Sequence, residues 1–339
     1  MNALTRIDSN LRENGDVRSD EKNTELVRRA MMGSEQEIRN LVVSSCKMGD
    51  ACYAQNKLEE AQKYYLIALK RAQQLYEQSE NLYDRVETLP IVYEKNGLVC
   101  CCLNSFQEAF EYYRAGLELR QKALGMLQEK SWVTGTKRRI ALICRQMVSI
   151  CEETGDKEKI VRYCREGLTV SAELYNSERT EEDGRFFVTF AQRLGSLAYL
   201  EDNIEPAFRY FQDALTVRRQ LQDEDGDVRT REELAANYEF LGHIYFKKGD
   251  YQKAGECYEW KFEIHRRLYE EQPTVDNYGK CAWAYYHLST VLDDAGEYNC
   301  LKNAIAILED IMERFPEKFE AEYRGLGMNC LGKLQRFQR

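Results

Sequence analysis

Proline is scarce in this chain, with four in 339 residues, and two of the four, Pro273 and Pro316, stand where a helix would begin. Proline disrupts helix interiors but is accepted in a first turn, so this usage leaves long helices unobstructed. No apolar run approaches the roughly 18 residues of a membrane-spanning helix, and residues 1–15 are too polar for a secretory leader. A cytoplasmic protein with no membrane partner is expected. Positive charge is in deficit as well: 48 Lys and Arg against 57 Asp and Glu give a net charge of −9, spread along the chain. That balance opposes nucleic acid as a partner. Lys137-Arg138-Arg139, near Trp132, reads as a solvated helix start.

Catalytic signatures are missing too. There is no HExxH, Walker-type or GxGxxG sequence and no nucleophile elbow. His243, His265 and His287 are the only histidines. Cys281 and His287, six residues apart on one helix, would point away from each other. The carboxylate pairs Asp293-Asp294 and Glu152-Glu153 and the run Glu181-Glu182-Asp183 read as helix-end solvation. Twelve cysteines contain no CxxC pair followed by a second, and Cys100-Cys101-Cys102 diverge by about 100° per residue within a helix. Buried free thiols, no metal site, no cofactor and no enzymatic activity are expected.

What the chain does have is a repeat. A small residue precedes a second small or apolar one by twelve positions, and a core residue follows four later, in six copies: Gly49/Ala61/Tyr65, Gly97/Ala109/Tyr113, Val148/Ile160/Cys164, Gly195/Ala207/Phe211, Gly242/Ala254/Tyr258 and Ser289/Leu301/Ile305. Successive copies start 48, 51, 47, 47 and 47 residues apart. Twelve residues accommodate the end of one helix, a tight turn and the start of a second. In Lys248-Gly249-Asp250-Tyr251 the glycine can end the first helix left-handed and the aspartate can cap the next. Asn104-Ser105, Gly155-Asp156, Asp202-Asn203 and Gly296-Glu297 repeat that chemistry, and Ser105 with Glu108 reads as a capping box. Gly242 and Ala254 are then expected to face each other, letting the two backbones approach. One helix pair cannot cover its own apolar stripe, so neighbouring pairs must stack.

Leu241-Gly242-His243-Ile244-Tyr245, Gly249-Asp250-Tyr251, Ala254 and Tyr258 resemble the tetratricopeptide repeat family. Leu194-Gly195-Ser196-Leu197-Ala198 with Ala207, Phe211 and Ala214, and Met48-Gly49 with Ala61, Tyr65 and Ala68, carry the same resemblance, which spans about residues 34–315. The period departs from the family's usual figure of about 34 residues, so both helices must be longer, as in extended-repeat bacterial arrays. The resemblance implies an all-α fold: a right-handed superhelical solenoid of about six antiparallel helix pairs with a C-terminal capping helix. Paired helices are expected at 34–55 and 57–79, 83–103 and 105–128, 135–153 and 156–177, 181–201 and 203–223, 229–248 and 250–271, and 275–295 and 297–314. Long loops are expected at 129–135 and 176–184. Residues 316–339 form the cap, with Leu326, Met328 and Leu331 among its charges. Residues 1–33 are either a degenerate repeat or partly disordered.

The resemblance further implies a non-catalytic scaffold that takes a protein or peptide on the concave face of the array. Counting from the buried set Leu241, Gly242 and Tyr245, that face carries Glu239, His243 and Phe246. Its equivalents are Gln192, Ser196 and Tyr199 in copy four, Tyr286, Thr290 and Asp293 in copy six, and Arg145, Ser149 and Glu152 in copy three. Arg193 and Lys95 border the row, His287 is expected near the same side as His243, on the next first helix, and Gln192 is expected to be exposed. The lysine and asparagine pattern with which some family members clamp a C-terminal carboxylate is not reproduced. The alternative is a peptide-responsive sensor controlling a separate effector chain. Nothing in the sequence opposes a homo-oligomer.

Overall fold

The computed structural model describes residues 34–221 and 226–338, so the alternatives for residues 1–33 fall outside the described part. All regular structure among the described residues is helical. The chain divides into two compact units, the first ending at Lys157 and the second starting at Glu158. The first contains α1 (Glu35–Ala54), α2 (Leu58–Gln78), α3 (Leu89–Cys102), α4 (Phe106–Leu124) and α5 (Lys130–Thr154). A turn of π geometry, Asp84–Thr88, leads into α3. The second contains α6 (Lys157–Glu178), α7 (Glu181–Leu200), α8 (Ile204–Gln220), α9 (Val228–Lys247), α10 (Tyr251–Glu271), α11 (Val275–Ser289), α12 (Asp294–Arg314) and α13 (Arg324–Leu334). Helices pack in sequence-adjacent pairs, α1 with α2 and α3 with α4 in the first unit, and α7 with α8, α9 with α10 and α11 with α12 in the second. Consecutive pairs also touch, α2 on α3, α8 on α9 and α10 on α11. Of the third copy, Val148 lies in the first unit and Ile160 and Cys164 in the second; all three are buried.

The turn chemistry explains where the first helices stop. Seven residues after the leading position of copies one to five stand Asn56, Asn104, Gly155, Asp202 and Gly249. All five have left-handed φ, at 59°, 58°, 73°, 58° and 78°. That conformation suits glycine and is tolerated by asparagine and aspartate, whose short polar side chains bond locally. The next backbone N–H then reaches back to the carbonyl five residues earlier: Lys57 to Cys52 at 2.9 Å, Ser105 to Cys100 at 2.9 Å, Asp156 to Cys151 at 2.9 Å, Asn203 to Ala198 at 2.8 Å and Asp250 to Tyr245 at 3.0 Å. Helix-terminal carbonyls are thereby satisfied and the chain reverses.

Copy six departs from this pattern. α11 ends at Ser289 and Asp293 caps α12, accepting from Gly296 N at 2.9 Å, so Gly296 lies inside a helix and the expected turn at Gly296-Glu297 moves toward the N-terminus. The Asp293 carboxylate supplies a cap that Glu297, four residues later and already helical, cannot. Two other local expectations are corrected. Ser105 makes no side-chain cap bond; the capping box forms instead at Ser34 and Glu37. The stretches 129–135 and 176–184 are largely helical, because α5 starts at Lys130 and α6 runs to Glu178. Thr180 caps α7 by accepting from Asp183 N, so the link between α6 and α7 is short.

The leading glycines serve a more specific purpose than backbone approach. A β-carbon on Gly49 would lie 2.4 Å from the Tyr65 ring, on Gly97 2.9 Å from Tyr113, on Gly195 3.0 Å from Phe211, and on Gly242 2.4 Å from Tyr258. In each case the aromatic side chain sixteen residues later fills the space glycine leaves empty, one turn beyond the buried alanine that was expected to meet it. Gly279 does the same for Tyr323, with 2.3 Å to the ring. Aromatic rings bring large buried area, and these rings need a partner without a side chain to lie flat on the facing helix.

A buried arginine ties some pairs together. Arg120, eleven residues past Ala109, bonds Glu94 Oε1 at 2.7 Å and Glu87. Arg218, eleven past Ala207, donates to Gln192 Oε1 and Glu233 Oε2, both at 2.9 Å, and to the Thr230 carbonyl. Glu94 and Gln192 stand three residues before Gly97 and Gly195, so the same slot serves the same bridge in two copies.

After Pro316 the chain continues as a short helical turn, a π-geometry segment Phe319–Tyr323, α13 and a final tight turn. Tyr323, Leu326 and Cys330 face the core against Leu301, Ala304, Leu308 and Ile311, whereas Met328 is 64 % and Leu331 52 % exposed. The expected apolar face is therefore rotated: 326 and 330 share a stripe at helical spacing, and 328 and 331 fall off it. All twelve cysteines are free thiols, seven buried, four half-buried and Cys102 exposed.

Candidate functional site

The second unit brings α7, α9 and α11, the first helices of three successive pairs, to one continuous row of aromatic and imidazole side chains. Tyr199 on α7 stacks on His243 of α9 with ring centroids 6.3 Å apart and packs edge-on against Phe240 at 5.5 Å. His243 meets His287 of α11 edge-on at 5.0 Å. His287 is flanked by Trp283 at 5.8 Å and Tyr286 at 6.0 Å, and Tyr258 of α10 lies beneath both histidines at 5.7 and 5.5 Å. Tyr199, His243 and Tyr286 are half-buried, each presenting an edge to solvent. Cations ride over the row, Lys247 Nζ 4.9 Å from the Tyr199 ring and Lys333 Nζ 4.8 Å from Tyr286. Lys247 is anchored by Asp202 at 2.7 Å.

Beneath the row lies a charged group with little access to water. Lys261 of α10, buried, reaches Glu239 Oε2 at 2.9 Å and His287 Nδ1 at 3.0 Å, and His287 Nδ1 is 3.5 Å from Glu239 Oε1. Burial pushes the His287 pKa down to about 2, with the Lys261 and His243 charges acting in the same direction. Burial also lowers His243, against the pull of Glu239. Lys261 is lowered by burial while Glu239 holds its charge in place. Neutral imidazoles beside an ammonium–carboxylate pair are the state this geometry favours. A neutral imidazole retains a lone pair for a hydrogen bond or a metal. The ligand-capable atoms of Glu239, His243 and His287 all lie within 4.8 Å of one another.

The residues expected on the binding face separate into groups. Tyr199, Glu239, His243 and Tyr286 come together as described. Gln192 is half-buried rather than exposed: its amide donates to the Glu233 carbonyl at 3.0 Å and accepts from Arg218, so its polar atoms bridge α7, α8 and α9. Ser196 is half-buried on α7, and Arg193 is exposed beside it. Phe246 is 39 % exposed and packs on Tyr251 across the turn at 5.3 Å. Thr290 ends α11 with its hydroxyl on the His287 carbonyl at 2.6 Å, and Asp293 caps α12, so both are engaged by the backbone. Arg145 is exposed on α5 of the first unit. Lys95, in the same unit, pairs with Asp50 at 2.5 Å.

Of this cluster the sequence left out Lys261, Phe240 and Trp283, whereas His287 was expected on the same side as His243. Glu239 and His243 at i and i+4 share a helix face, and that signal was available. The approach of Lys261, from the second helix of the pair, was not.

Residues 235–259 match the family model described as tetratricopeptide repeat. No curated protein matches the chain. Among solved structures, the apo form of RapI is similar with a TM-score of 0.50 at 13 % identity, over 87 % of this chain and 99 % of its own. The S. pombe nuclear import adaptor Nro1 is similar with a TM-score of 0.49 at 12 % identity, over 83 % and 95 % of the two chains. The RpL4 assembly chaperone Acl4 is similar with a TM-score of 0.49 at 14 % identity, over 91 % and 99 %. Residues 235–259 thus match a tetratricopeptide repeat, and the helices packed in sequence-adjacent pairs around it have the fold of tetratricopeptide-like helical repeats.

Proposed function

We propose that this protein is a non-catalytic scaffold that binds a protein or peptide segment on the face lined by Tyr199, His243, Phe246 and Tyr286, with Glu239, Ser196 and Arg193 at its border. The observation that carries the reading is the row of half-exposed rings running unbroken from α7 through α9 to α11, with Lys247 and Lys333 above it. Rings of this kind offer large contact area at low conformational cost, and aromatic anchors dominate the energetics of protein recognition. The cations favour a segment that combines an apolar or aromatic side chain with carboxylates. Gln192, Thr290 and Asp293 contribute by holding the helices in place. Arg145 belongs to the other unit.

Affinity capture from the native cell, with the parent chain and with Tyr199→Ala, Phe246→Ala and Tyr286→Ala, tests the reading. Trp260→Ala, at an exposed ring on α10, serves as the control. Partners retained by the parent and the control but lost by the three variants support the proposal. Equal capture by all five chains overturns it.

A further inference from the structure

We propose that Glu239, His243 and His287 form a binding site for a divalent transition metal of the zinc class, with the Lys261 ammonium as its built-in competitor. Three ligands of types suited to zinc, one carboxylate and two imidazoles, converge from two helices. Glu239 and His243 occupy one face of α9 at i and i+4, and His287 approaches from α11, one pair further on. Zinc binds imidazole nitrogen and carboxylate oxygen at about 2.0–2.2 Å, so neighbouring ligand atoms in a tetrahedral site stand about 3.4 Å apart. His287 Nδ1 and Glu239 Oε1 already stand 3.5 Å apart. All three ligand atoms fall within 4.8 Å, a spread that side-chain rotation about fixed helices can close.

The surroundings suit a metal. Tyr258, Trp283, Tyr199 and Tyr286 wall the two imidazoles and restrict their ring orientations. Orienting contacts of this sort raise affinity by preorganising ligands. Imidazole coordinates a metal through the lone pair of its neutral form. Lys261 Nζ now occupies the position a cation would take, 2.9 Å from the carboxylate and 3.0 Å from His287 Nδ1. A metal must displace that ammonium, so the lysine sets the threshold concentration at which the site fills. The inference uses two residues of the proposed partner face but requires no partner, and it survives failure of the scaffold reading.

The test is titration of the full chain with ZnCl2 by calorimetry and with Co2+ by visible absorption. The chain's twelve free cysteines are the competing ligands, and cobalt distinguishes them, because thiolate ligation adds an intense near-ultraviolet charge-transfer band that imidazole and carboxylate ligation lacks. The expected result is one site per chain, cobalt d–d bands without thiolate charge transfer, and binding weakened by about tenfold or more in His243→Ala and in His287→Ala. Lys261→Met keeps the aliphatic stem, removes the competing charge and is expected to tighten binding by about tenfold or more. If a histidine variant fails to fold by circular dichroism, the cobalt spectrum of the parent and the Lys261→Met titration still decide. Absence of binding, a thiolate spectrum, or affinity indifferent to both His287→Ala and Lys261→Met overturns the proposal.

Discussion

Replacing Gly242 with alanine adds a single methyl group, and the structure assigns it a location already taken. The new β-carbon would lie 2.4 Å from Tyr258 Cε1 and 2.8 Å from Cδ1, closer than non-bonded carbons approach. Tyr258 has little room to retreat: it is 2 % exposed and held between His243 and His287. Helix propensity alone favours alanine over glycine by about 1 kcal/mol. Overpacking a filled core costs about 1–3 kcal/mol, and a rigid buried ring that must shift by about 1 Å belongs at the upper end. The net expectation is a loss of about 2 kcal/mol. Gly332→Ala on α13 is the internal reference, since nothing lies within 4 Å of its missing β-carbon; it should gain about 0.5–1 kcal/mol. Gly195→Ala, with a nearest ring atom at 3.0 Å, should fall between the two. Repeat arrays do not always unfold in one step, so the comparison is of urea midpoints and of amide exchange in α9 and α10. Tyr258→Leu in the Gly242→Ala background should cost less than the sum of the single changes. Gly242→Ala as stable as the parent, or Gly332→Ala equally damaging, would refute the ring-on-glycine account.

Ala207→Phe enlarges a side chain with no solvent exposure, packed with Phe211, Leu234 and Leu241, and should lower stability by about 1–3 kcal/mol in the same assay. Gln192→Leu removes the acceptor of buried Arg218 and the donor to Glu233 O, and should cost about 1–3 kcal/mol, measured as a lower urea midpoint. His265 makes stability depend on acidity: burial lowers its pKa to about 3, with Lys261 and Lys280 adding to the effect. The unfolded chain takes up a proton near pH 6.5 that the folded chain refuses, so the neutral ring's contribution is complete above that pH and declines as pH falls toward 3. At pH 5 the loss is about 2 kcal/mol, and His265→Gln should flatten the pH dependence of the thermal midpoint between 7 and 5.

The helix pairs and their turns were legible in the sequence because both depend on local chemistry. A left-handed residue at a fixed offset needs glycine, asparagine or aspartate, and those types recur at 56, 104, 155, 202 and 249. The period followed from the same spacing. Copy six misled at the local level: Gly296-Glu297 has the composition of a turn, but the cap at Asp293 acts first. The face of the last helix was misjudged because a mixture of apolar and charged residues fits two stripes until a neighbour covers one of them.

The candidate site divides along the same line. By itself the sequence determined that helices come in pairs, where the first five pairs reverse, and that Tyr199, Glu239 and His243 stand on the same face of first helices, since spacing along one helix fixes which side chains share a face. Only the tertiary structure decided that the glycines accommodate rings, that Gln192 is occupied by Arg218, and that Lys261 enters from the second helix to meet Glu239 and His287. Those are contacts between residues on different helices, sixteen or more positions apart, set by how far one helix is rotated and shifted against another, and periodicity carries no record of that displacement.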